Sequence, residues 1–139
     1  MTGLVVDTSA LLAYFDTNEP QHEAVVPVIE AAAAGPLVVS PYVIAELDYL
    51  VLTRHGVQAQ REVLAELTGG AWELATMDRE RLVAAADIVE RYSDTPIEVT
   101  DASNIVLAEA YRTRAIATLD RRHFTVLRLG DGSAPEVLP

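Results

Sequence analysis

The chain is 139 residues long, half of them hydrophobic, and it contains no cysteine and no lysine. The missing thiols exclude disulfides and thiolate metal sites, and the missing lysine excludes a P-loop, whose Gly-Lys pair must reach the phosphates. A formal net charge of -11, evenly spread, would argue against a nucleic-acid binder. The charge is uneven, however. Arg112, Arg114, Arg121, Arg122 and Arg128 gather where Asp120 is the only acid, which leaves room for a local basic face. The length fits one domain, residues 1–139, with a proper core. No apolar run approaches the roughly 18 residues of a membrane span, and the first residues lack a signal-type pattern. A soluble, cytoplasmic protein with no membrane partner is therefore expected.

In chain order, Leu4 to Val6 reads as a short buried strand running into Asp7, with Thr8 or Ser9 placed to cap a helix from Ala10 to Phe15. A second helix fits Gln21 to Ala34, closed by Gly35-Pro36, and Leu37 to Val39 is the next strand. Ser40 caps a helix with Pro41 at its first position, and the apolar residues of YVIAELDYLVLTRH keep helical spacing until Gly56. A helix over Val57 to Leu67 is broken by Gly69-Gly70. A short strand from Trp72 to Ala75 follows, and Asp78 caps a helix through Tyr92. Thr100 or Asp101 starts the helix ASNIVLAEAYRT, AIATLD is a strand ending on an acid, and a last strand is expected at Phe124 to Leu129 before a Gly/Ser/Pro tail. Strands alternating with helices imply an α/β protein with a mostly parallel sheet.

In such a sheet the C-terminal strand ends form one rim, and ligands bind there near the switch in strand order. Asp7 and Asp120 belong on that rim. Glu46, flanked by Val43, Ile44, Leu47, Leu50 and Val51, faces inward from its helix, and Asp101 sits at a helix N-terminus, where the dipole favours an anion. Like charges about 4 Å apart cost on the order of 4 kcal/mol per pair at an effective dielectric near 20. A divalent cation reverses that sign, and an oxygen-only, carboxylate-rich set suits Mg2+ or Mn2+. A metal on an open rim can polarise a phosphate and lower the pKa of bound water, which is the chemistry of phosphodiester hydrolysis.

Each residue also has a plainer reading. Asp7 and Asp101 could be helix caps, and Asp120 could pair with Arg121 or Arg122 at the surface, worth about 0 to 1 kcal/mol. Arg112, Arg114, Arg121 and Arg122 could be ordinary surface charge or could contact phosphate around a scissile bond. His123 stays outside the catalytic set as a partly buried neighbour of Phe124, and Glu98 is close enough to Asp101 to support it. Tyr14, Phe15, Tyr42, Tyr49 and Leu50 suit an apolar stripe that is core by default and otherwise a dimer seam or a groove for a partner helix.

Four segments together carry a further signal: VVDTSALLAYF, SPYVIAELDYL, VTDASNIVLAEAY and IATLDRRHF, in this order over nearly the whole chain. They resemble the motifs of PIN-domain ribonucleases, specifically VapC toxins of toxin-antitoxin pairs. The resemblance implies a three-layer α/β/α sandwich and metal-dependent cleavage of RNA leaving a 5'-phosphate and a 3'-hydroxyl. Asp7, Glu46, Asp101 and Asp120 would be the acidic set, catalytic and metal-binding with Mg2+ or Mn2+. Ser9 or Thr8, Thr118 and Asn104 match its supporting polar positions. The implied partners are a structured RNA such as tRNA or rRNA, a cognate small antitoxin protein and a second copy in a homodimer. The alternative is a PIN-like regulator that binds RNA or protein without cutting.

Overall fold

The computed structural model describes residues 2–139. Its elements run β1 (Leu4–Val6), α1 (Thr8–Phe15), α2 (His22–Ala32), β2 (Leu37–Val39), α3 (Pro41–His55), α4 (Val57–Leu67), β3 (Glu73–Leu74), α5 (Arg79–Arg91), α6 (Val99–Ala110), β4 (Ala115–Ala117), α7 (Arg121–Phe124) and β5 (Glu136–Leu138). The strands form one sheet in the order β3-β2-β1-β4-β5, and every neighbouring pair is parallel. The expected three-layer α/β/α architecture is therefore the one observed.

The central strands are short and apolar throughout. LVV in β1 and LVV in β2 are fully buried, as expected where helices cover both faces of a parallel sheet. Alternate side chains feed two cores. Leu4, Val6, Leu37, Val39 and Ala117 pack with Leu11, Ile29 and Leu47 of α1, α2 and α3 on one face. Val5, Val38 and Ile116 pack with Ala85 and Ile88 of α5 and Ile105 and Leu107 of α6 on the other.

The helix signals act where the residues place them. Ser40 accepts from the Tyr42 amide at 3.2 Å with Pro41 as the first helical residue of α3, and Asp78 caps α5 through the Arg81 amide at 2.9 Å. Gly56, at φ +91°, separates α3 from α4, a conformation that any side chain would strain. The first helix opens earlier than its sequence suggested, at Thr8, so that Asp7 stands at the N-cap position without using its side chain as a cap.

The strand expected at Phe124 to Leu129 does not form. The amides of Thr125, Val126 and Leu127 turn back onto the carbonyls of Arg121 and His123, so none is free for a sheet. Phe124, Leu127 and Leu129 are buried as a plug under α5 and α6 rather than in strand alternation. The edge strand instead comes from the expected tail, where Glu136, Val137 and Leu138 pair with Ala115, Ile116 and Ala117. Phe124 is 1% exposed, so Phe124→Ala is expected to cost about 3 to 5 kcal/mol in urea unfolding at neutral pH.

Candidate active site

The strand order reverses at β1, where β2 lies on one side and β4 on the other. The crevice at the C-terminal ends of β1 and β4 is thus the switch point at which α/β sheets take ligands. Asp7 follows β1 directly, and its amide extends the pairing by donating to the Ala117 carbonyl at 2.9 Å. The carboxylate is 5% exposed. Asn104 Nδ2 donates to its Oδ1 at 3.0 Å, and Thr118 Oγ1 donates to its Oδ2 at 2.8 Å. These two bonds tie three elements to one carboxylate: the end of β1, the buried side of α6 and the segment after β4.

Hydroxyls complete the frame. Ser9 Oγ accepts from the Leu119 amide at 2.8 Å and lies 3.2 Å from Thr118 Oγ1, which in turn accepts from the Asp120 amide at 3.1 Å. Ser40 and Ser103 share a buried 2.8 Å contact that clamps the start of α3 to α6, the two helices carrying Glu46 and Asp101. Thr118→Val is expected to leave the buried Asp7 oxygen without its hydroxyl donor, lowering stability by about 1 to 3 kcal/mol by urea unfolding at pH 7, whereas Thr118→Ser stays near the parent.

One cleft is lined by Asp7, Thr8, Ser9, Leu12, Glu46, Leu50, Arg54, Glu98, Asp101, Asp120, Arg122 and His123. All four acids singled out in the sequence face it. Burial pushes the Asp7 carboxyl up from its ordinary value against the pull of the Thr118 and Asn104 bonds, and nearby Glu46 pushes it further. Burial, with the Asp7 charge next in weight, raises Asp101 to about 6, while His123 works in the opposite direction. Asp120 behaves differently. Its carboxylate is turned to Arg122, whose Nη2 lies 3.2 Å away, and that bond holds it below the usual range.

The donor set fits a hard divalent cation. It is all oxygen, its members repel one another, and the buried Asn104 Oδ1 and Thr8 Oγ1 lack hydrogen-bond partners. Among the described residues, no three acid or imidazole groups converge closely enough to enclose an ion as they stand. Asp120 is in addition held by Arg122.

The structure also sorts the basic residues. Arg122 is on the cleft. Arg121 donates to the Pro139 carbonyl, away from it. Arg112 and Arg114 precede β4 and so lie at the opposite end of the sheet, where they border a separate hollow with Glu109 and Gly130. Of the other cleft residues, His123 was weighed in the sequence and left out of the catalytic set, and Arg54 was missed. His123 Nδ1 stands 2.8 Å from Asp101 Oδ2, close enough for an ion pair although its N–H direction misses the oxygen. Arg54 follows Glu46 by eight residues on α3, two turns on and about 80° around, within one broad side of the helix, a spacing that could have flagged it.

Residues 4–128 match the PIN domain family. The chain belongs to the PIN-domain family. It is 57% identical over 136 residues to Ribonuclease VapC26 of Mycobacterium tuberculosis, an alignment covering 98% of this chain and all of that protein. Among solved structures, this PIN fold superimposes on M. tuberculosis VapC20, a sarcin-ricin loop cleaving toxin, with a TM-score of 0.76, 16% identity and coverage of 86% of this chain and 91% of that one. It superimposes on VapBC2 from Rickettsia felis, bound to a DNA fragment from the promoter, with a TM-score of 0.74, 15% identity and 99% coverage of both chains. At those identities the two structures speak for the PIN fold alone.

Proposed function

We propose that this chain is a metal-dependent endoribonuclease, the toxin of a toxin-antitoxin pair, with residues 1–139 working as one PIN-like unit. The observation that carries the reading is the convergence of Asp7, Glu46, Asp101 and Asp120 on one cleft at the switch point of the sheet. The 57% identity to a ribonuclease over essentially the whole chain supports the substrate class. Asp7, Glu46, Asp101 and Asp120 would hold Mg2+ or Mn2+. When bound, such an ion supplies a Lewis acid that lowers the pKa of water and neutralises charge on the scissile phosphate.

The remaining chemistry belongs to the chain. Asn104 and Thr118 fix the Asp7 carboxylate from two sides, so its oxygens keep one orientation toward the cleft. Asp101 sits in the first turn of α6, where the helix dipole favours its ionised form against the burial that raises it. Arg122 is placed to meet a phosphate once Asp120 turns inward.

The partners follow from the same reading: a structured RNA as substrate, a small antitoxin as inhibitor and a second copy in a homodimer, all in the cytoplasm. An antitoxin complex is what the Rickettsia structure contains, and among the described residues no helix is long and apolar enough to cross a membrane. Incubating the purified chain with total cellular RNA should give discrete products ending in 5'-phosphate in Mg2+ and none in EDTA. Intact RNA in Mg2+, or equal cutting in EDTA, would overturn the reading.

A further inference from the structure

We propose that Arg54 grips an RNA phosphate flanking the scissile bond, so that the third helix supplies substrate affinity as well as an acid; the assignment rests on the nuclease reading above. An RNA strand approaching this protein meets a chain of net charge -11 and a cleft lined by Asp7, Glu46, Glu98, Asp101 and Asp120. Cation binding in the cleft offsets repulsion at the reacting phosphate and its immediate neighbours, but screening weakens such a charge beyond a Debye length of about 8 to 10 Å. Phosphates two steps along the strand need positive charge on the walls.

Arg54 and Arg122 are the arginines on those walls. They come from different elements: Arg54 from the last turn of α3 and Arg122 from α7. Arg122 is bound to Asp120, and Arg128 spends Nη1 on the carbonyls of Thr125 and Leu127. Among the described residues Arg54 has no ion pair, although five carboxylates line the same cleft and its neighbour His55 is paired with Asp16 at 3.2 Å. Its fork of donors is therefore free for an anion from outside.

The position of Arg54 relative to Glu46 sets what it can touch. Eight residues on a helix advance about 12 Å along the axis and turn about 80° around it, which keeps both within one broad side of the helix. That exceeds the reach of a single phosphate and matches about two nucleotide steps of an extended strand, at roughly 6 Å each. Arg54 thus reads the backbone beside the cut, independent of base identity.

The test is steady-state cleavage of a defined RNA in Mg2+ by the full chain and by Arg54→Ala, Arg54→Lys and a control, Arg61→Ala, whose side chain is exposed on α4 outside the cleft. Arg54→Ala is expected to raise KM about tenfold with kcat within about threefold, and to flatten the log-log dependence of kcat/KM on salt by about one. Arg54→Lys should recover part of the KM loss, and Arg61→Ala should match the parent. Unfolding midpoints of all four proteins should agree, because Arg54 makes no buried contact. A parent that cuts RNA while Arg54→Ala keeps its KM and salt slope overturns this assignment and leaves the nuclease reading intact. A parent that does not cut overturns both.

Discussion

Asp7→Asn is expected to lower the rate of RNA cleavage at least about a thousandfold, equivalent to roughly 4 kcal/mol of transition-state stabilisation, while leaving the fold at least as stable as the parent. Both halves follow from one carboxylate. It is 5% exposed, and burial raises its pKa above the ordinary value, so at neutral pH the ionised form is held at a cost. Asparagine has the same shape. Its carbonyl can accept from Asn104 and its amide can donate to Thr118, so no buried group is orphaned. What disappears is the negative charge that a cation would bind. The measurement is single-turnover cleavage beside urea unfolding in EDTA. A variant with cleavage within tenfold of the parent removes Asp7 from the site, and one with a much lower unfolding midpoint shows that the carboxylate served the fold instead.

Stability should depend on pH with opposite slopes in the absence and presence of Mg2+. Asp101 has a folded-state pKa of about 6 against an ordinary value of 3.8, so the folded chain binds more protons than the unfolded one between those values. Without metal, stability is fully present below about 4 and declines as pH rises to about 6, by at most about 3 kcal/mol. Asp7, also raised, adds to the same trend. The lowered acids Asp120 and Asp131 work with the opposite sign, and their contribution is lost only as pH falls below about 4, outside this window. Mg2+ takes only the ionised oxygens, so its binding strengthens over the same range and stability should rise with pH. Thermal unfolding from pH 4.5 to 7.5, in EDTA and in Mg2+, reads both slopes. Asp101→Asn should flatten the metal-free curve; equal slopes with and without Mg2+ would place the cation elsewhere.

The part of the site that could be read in advance was the part carried by local pattern. An apolar triplet that stops at Asp7 marks a strand end on the rim, and apolar neighbours on both sides of Glu46 mark its face of α3 as inward. His123 gave no such signal, because its meaning depends on Asp101, which is 22 residues away and arrives from α6. The arginine cluster misled for the same reason. Arg112 and Arg122 are close in sequence, but β4 runs between them and carries them to opposite ends of the sheet. The last strand failed on hydrogen bonding: FTVLRL has strand composition, yet the amides of Thr125, Val126 and Leu127 turn back onto α7 and those of Arg128 and Leu129 bond to Tyr92 Oη and the Ser133 carbonyl.

Period and punctuation in the sequence were enough to determine the alternation of helices and strands up to β4 and the parallel sheet it implies, and to mark Asp7, Asp101 and Asp120 near element ends, because each signal lies within a turn or two of its residue. Which chain segment closed the sheet edge, which arginines reached the cleft and how Asn104, Thr118 and Ser9 locked onto Asp7 and its surroundings were decided only in three dimensions. The bonds onto Asp7 and Ser9 join residues about 100 positions apart and the sheet edge joins residues 21 apart, and no local preference encodes a partner that the chain meets only on folding.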